Sequence, residues 1–135
     1  MTRTSGLLDT STVILLKRVA EPAQLPDECL VSAVTLAELS VGPLVATSDD
    51  ERAARQAHLQ QAESDFEVLP FDAAAARAFA RVAASLRVRG RKPAVRAYDA
   101  LIAATAIAND LPLYTCNPSD FDGIAALEVF PISVD

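Results

Sequence analysis

Short apolar runs alternate along this chain with stretches in which apolar residues recur at helical spacing. Gly6-Leu7-Leu8-Asp9 reads as a buried strand that ends on an acid, and Ser11 to Val19 as a helix stopped by Pro22 and Pro26. Cys29-Leu30-Val31-Ser32 is a second strand, followed by a helix from about Leu36 that Gly42-Pro43 interrupts. Asp49 to Asp65 is a charged, exposed helix whose weak apolar side is Ala53, Ala57 and Ala62. Phe66 to Phe71 is a third strand candidate, broken by Pro70. Asp72 to Arg89 places Phe79, Val82, Ala83 and Leu86 on one helical face, with Gly90 suited to end it. Ala97 to Asn109 is apolar nearly all round, as in a helix buried on most sides. Leu113-Tyr114-Thr115 and Leu127-Glu128-Val129-Phe130 complete the strands. Strands separated by helical crossovers predict an α/β fold with a parallel sheet covered on both faces. No repeat, low-complexity segment or linker divides the chain, so residues 1–135 are read as one domain.

Composition narrows the chemistry. The chain is 51% apolar, which suffices for a hydrophobic core and excludes a disordered class. No secretory signal is visible and no apolar run approaches the roughly 20 residues that span a bilayer, which predicts a soluble, cytoplasmic protein with no membrane partner. Cys29 and Cys116 lack a C-x-x-C spacing and read as free residues of the interior. His58 is the only histidine, which removes most zinc sites and most histidine-based catalysis. Catalysis, if present, has to run on carboxylates. The net charge of −6 does not suggest a nucleic-acid binder, but Arg77, Arg81, Arg87, Arg89, Arg91, Lys92 and Arg96 crowd together, and no Lys or Arg follows Arg96.

The acids fall where a parallel sheet binds ligands, beyond the carboxyl ends of its strands. Asp9 ends the first strand, Glu38 follows the second, Asp99 opens the buried helix and Asp120 follows Leu113-Tyr114-Thr115. Convergence of four carboxylates is costly unless a cation sits among them, and oxygen donors without histidine or thiolate suit Mg²⁺, or Mn²⁺. Each acid also has a plain structural reading. Thr35 to Glu38 has the spacing of a capping box, Asp9 can cap the first helix, Asp99 sits near a helix start, and Asp120, with Asp122 beside it, suits a turn. The case rests on the set.

Four motifs carry a resemblance. Leu7-Leu8-Asp9-Thr10-Ser11, Thr35-Leu36-Ala37-Glu38-Leu39 with Gly42, Asp99-Ala100-Leu101-Ile102-Ala103-Ala104-Thr105-Ala106 and Thr115-Cys116-Asn117-Pro118-Ser119-Asp120-Phe121 stand in the order found in PIN domains, and the third resembles VapC-type toxins closely. The resemblance implies a three-layer α/β/α sandwich with a mainly parallel sheet. It also implies a Mg²⁺-dependent endoribonuclease, the toxin of a toxin–antitoxin pair, homodimeric and silenced by a cognate antitoxin. Carried over residue by residue, Asp9, Glu38, Asp99 and Asp120 are the catalytic acids, with Asp9, Asp99 and Asp120 holding the metal. Thr10, Ser11, Thr115 and Asn117 are expected to orient carboxylates and waters. Asn117 stands where many relatives carry Asp, which leaves the number of metal ions open. Arg89, Arg91, Lys92 and Arg96 are candidate contacts to RNA phosphates, weighed evenly against a solvated helix end. The alternatives are a non-catalytic PIN-like RNA- or protein-binding module, or a haloacid-dehalogenase-like phosphatase; the latter wants a basic residue late in the chain, and there is none after Arg96.

Overall fold

A computed structural model describes residues 3–90 and 96–135. Five strands, β1 (Ser5–Leu8), β2 (Glu28–Ser32), β3 (Glu67–Leu69), β4 (Leu113–Thr115) and β5 (Val129–Pro131), form one sheet in the order β3-β2-β1-β4-β5. Every neighbouring pair is parallel. Strands joined by helical crossovers cannot pair otherwise without long detours, and burial on both faces explains why they read as continuous apolar runs. The helices are α1 (Thr10–Ile14), α2 (Ala33–Leu44), α3 (Asp49–Asp65), α4 (Ala73–Val88) and α5 (Ala97–Ala108).

Successive side chains in a strand point to opposite faces, and here that alternation builds two cores. Leu7, Leu30 and Leu113 pack with Val82 and Leu86 of α4 and Ile102 and Ala106 of α5. Leu8, Val31 and Tyr114 face the other way, against Val13 of α1, Leu39 of α2 and Ala62 of α3. The register sets Leu8 beside both Val31 and Tyr114, so the central strand ends level with its neighbours and Asp9 leaves the sheet at their carboxyl edge. Close approach on β1 requires a glycine: a Cβ on Gly6 would lie 2.3 Å from the Tyr114 ring.

Several boundaries differ from those read in the sequence, each for a local reason. α1 stops at Ile14, and Leu16–Arg18 is a separate 3-10 turn rather than its continuation to Val19. α2 begins at Ala33, earlier than Leu36, because Ser32 is its N-cap and accepts from the Val34 amide at 2.9 Å. The helix passes Gly42 and ends at Leu44, one residue after Pro43, whose missing N–H cannot extend it far. Arg55 of α3 donates to the freed Gly42 carbonyl at 2.9 Å. β3 is confined to Glu67–Leu69 and β5 begins at Val129. Gly90 ends α4 in the left-handed region, φ +74°. Among the described residues no helix is long and apolar enough to cross a membrane.

Candidate functional site

Asp9 is 4% exposed although it carries a carboxylate, so its oxygens need partners. It caps α1 by accepting from the Thr12 amide at 3.2 Å, and the Thr12 hydroxyl donates to the same oxygen, Oδ1. Oδ2 accepts from Thr115 at 2.8 Å and from Ser11 at 3.1 Å. Thr115 ends β4, and its hydroxyl also accepts from the Asn117 amide at 2.9 Å. The Asn117 side chain donates to Ser11 at 3.0 Å. The carboxyl ends of β1 and β4 are thereby stitched together through one carboxylate. Capping and site-building are the same act for Asp9: one oxygen serves the helix, the other the β4 loop.

Glu38 lies in the second turn of α2. Because Ser32 caps that helix, Glu38 is not the capping-box partner of Thr35 that its spacing suggested. It is half-buried and accepts from the Thr10 hydroxyl at 2.8 Å, and that hydroxyl stands 3.0 Å from the Thr35 hydroxyl. Burial pushes the Glu38 carboxyl above its usual range, the Thr10 hydrogen bond opposes this, and the charge on Asp9 adds to it.

Asp99 is the third residue of α5, and Asp120 lies in the 3-10 turn Pro118–Phe121 that follows β4. Burial pushes Asp99 up to about 6, reinforced by the charges of Asp120, Asp9 and Glu38, while Arg96 works against the rise. Four acids from four separated segments therefore share one electrostatic neighbourhood. Arg96 stands within it: its Nη1 is 2.8 Å from Asp120 Oδ1 and 3.8 Å from Asp99 Oδ2.

Of the four candidate phosphate contacts, Arg96 is paired with two of the acids. Arg89 is exposed beyond the end of α4, its aliphatic stem lying over Gly123. Arg91 and Lys92 lie outside the described residues. Sequence reasoning also passed over Thr12 and Thr35, both fully buried hydroxyls. Thr12 had a signal, since an Asp-x-x-Thr spacing sets the third residue of a helix against its cap. Arg96 had one as well, because residues three apart on a helix are neighbours and Asp99 is three on.

The donor chemistry of this site is that of a hard divalent cation: carboxylates, hydroxyls and an amide, with no histidine or thiolate among the acids. Among the described residues no three Asp, Glu, His or Cys side chains are grouped closely enough to hold an ion as they stand. With Arg96 bridging two of the acids, the positive charge that the cluster needs is supplied by the protein itself. A cation of this kind would match the charge and the donors.

A family model described as PIN domain matches residues 7–127. The chain is 41% identical to Ribonuclease VapC5 of Mycobacterium tuberculosis, covering 97% of this chain and 98% of that protein. It is 30% identical to Ribonuclease VapC1 of Rickettsia felis over 94% and 96% of the two chains. The crystal structure of VapBC-5 from Mycobacterium tuberculosis, a member of the VapBC family of toxin-antitoxin systems, superposes with a TM-score of 0.82 at 41% identity, covering 95% of this chain and 98% of that one.

Proposed function

The chain belongs to the PIN-domain family, and we infer that it is an endoribonuclease, the toxin of a toxin–antitoxin pair, with Asp9, Glu38, Asp99 and Asp120 as its catalytic acids. The observation that carries the reading is geometric: Asp9 and Asp120 follow β1 and β4 at the carboxyl edge of the sheet, Asp9 is held by Ser11, Thr12 and Thr115, and Asp99 and Asp120 meet at one guanidinium. Burial pushes Asp99 up to about 6, reinforced by the charges of the other three acids, which suits a site that takes a cation.

Asp9, Asp99 and Asp120 would hold Mg²⁺, or Mn²⁺ in its place. Bound there, the ion supplies positive charge to the phosphoryl oxygens and favours deprotonation of water. The remaining work falls to the protein. The hydroxyls of Ser11, Thr12 and Thr115 fix both oxygens of Asp9, so this carboxylate has one orientation before substrate arrives. Thr10 holds Oε1 of Glu38, which leaves the second oxygen to orient the attacking water. The upward shift of Glu38 makes it a better proton acceptor near neutrality than an ordinary glutamate. In-line attack forms a water-oxygen–phosphorus bond and breaks the bond to the 3′ oxygen, which leaves a 5′ phosphate and a 3′ hydroxyl.

The test is cleavage of labelled RNA by the purified protein with and without Mg²⁺, beside Asp99→Asn. Cleavage should require the ion and fall by about 100-fold or more in the variant, the scale on which losing one electrostatic stabiliser is felt. Wild-type protein that retains RNA yet never cuts it, with Mg²⁺ or Mn²⁺ present, would turn the assignment towards the non-catalytic binding module.

A further inference from the structure

Among the described residues, the only ion pairs made to the four acids are those of Arg96. Its side chain is 37% exposed and reaches two acidic side chains of similar exposure, 31% for Asp99 and 35% for Asp120. Among the described residues the guanidinium is held only by these two carboxylates, donating to Asp120 at 2.8 Å and pairing with Asp99 at 3.8 Å. A guanidinium and a divalent ion have the same appetite for these oxygens, and two cations cannot share Asp120 Oδ1 without repelling each other at close range.

We propose that Arg96 is a built-in counter-ion, which a divalent cation must displace from Asp120 and Asp99, so that Arg96 sets how tightly the site takes the ion. This rests on reading those two acids as metal ligands. The guanidinium compensates the charge of both carboxylates. A cation held by Asp99 and Asp120 would compete with the guanidinium for these oxygens, and the half-exposed Arg96 side chain has solvent to move into. Arg96 is thus a positioning residue whose removal raises metal affinity, whereas a purely structural ion pair at a helix start would leave affinity unchanged or lower it by loosening Asp120.

Calorimetric titration of the full chain with Mn²⁺ at low ionic strength, for wild type, Arg96→Gln and Arg96→Lys, tests this. The dissociation constant should tighten by about 10-fold in Arg96→Gln, the scale of coupling between groups in direct contact. Arg96→Lys should fall between, because an ammonium is a point charge and lacks the planar fork. The rise in melting temperature on adding Mn²⁺ should be larger in both variants than in wild type. Should Arg96→Gln not fold, Arg96→Lys alone decides, and tighter binding than wild type is again the supporting result. If wild type binds Mn²⁺ and the folded variant binds it equally or more weakly, the proposal fails alone. A wild-type protein that takes up no Mn²⁺ at all would remove the metal-site reading and the proposal with it.

Discussion

Asp9 and Asp99 answer burial in opposite ways. Asp9 is almost wholly covered, and three hydroxyls and an amide meet its two oxygens. Asp99 has only Arg96, 3.8 Å away, against burial and the charges of three acids, and its carboxyl is pushed up to about 6. A carboxyl whose folded pKa is raised adds stability that is fully present below its unfolded pKa and is lost as the pH rises through the folded one. Metal-free protein should therefore lose stability between about pH 4 and pH 6 through this group. In thermal unfolding without divalent ions, Asp99→Asn should melt higher than wild type at pH 7.5, by about 4 °C for roughly 1 kcal/mol. The two should coincide at pH 4, where the wild-type carboxyl is protonated; a variant that melts lower at pH 7.5 contradicts the electrostatic account. Thr115→Val takes the opposite kind of partner away, since it deprives Asp9 of a donor. It should lower cleavage by about 10- to 100-fold, the usual effect of losing a group that orients a ligand, with the melting temperature also reduced.

At the scale of elements, the site depends on how closely β1 meets β4. Gly6 allows the Tyr114 ring to lie on the strand, and that pairing brings Thr115 to Asp9. Gly6→Ala places a methyl 2.3 Å from a ring carbon, so the Tyr114 ring or one of the strands has to shift. Overpacking of this kind costs about 1–3 kcal/mol, and chemical denaturation should show a loss in that range, with weakened cleavage as the Asp9–Thr115 contact opens. Unchanged stability would mean the ring swings away freely and the strand contact does not set the site. The helix starts are equally specific: Ser32 rather than a later residue caps α2, and the three-residue difference decides which turn carries Glu38.

On the whole molecule, the exposed apolar side chains of α1 and α2 lie further along those helices than Asp9 and Glu38, so catalysis and partner binding should separate. Ile14, Val41, Leu44 and Val45 are exposed on α1, α2 and the end of α2. A groove of about 390 Å³ between α1 and α3 has Val13, Ile14, Leu16 and Ala57 on its apolar side with Lys17 and His58 beside them, and one of about 550 Å³ at the α2–α3 junction sets Pro43, Leu44 and Ala53 against Asp49, Arg52 and Gln56. If a cognate antitoxin docks here, Leu44→Glu should weaken the complex by about 10-fold or more in a binding titration while leaving RNA cleavage by the free protein intact, since it buries a charge in an apolar contact. Equal affinity for the antitoxin would move the docking surface elsewhere. Where the antitoxin reaches the acids, an Arg or Lys on it is the expected contact, because the site already accepts a guanidinium from Arg96.

The sequence by itself determined the layer order. Apolar runs without alternation, separated by helices, leave a parallel sheet buried on both faces as the consistent solution, and an acid after each of β1, β2 and β4 then has to lie towards one edge. Chain order and local pattern carry that much because strand direction and crossover helices are dictated locally. What only the tertiary structure decided are the partnerships across the fold. Thr115 reaches Asp9 from 106 residues away, and Arg96 reaches Asp120 from 24 away. A basic residue in a run of basic residues looks the same whether it faces solvent or carboxylates. The side to which Arg96 turns is settled by the start of α5 meeting the turn after β4, and no spacing within either segment encodes that meeting.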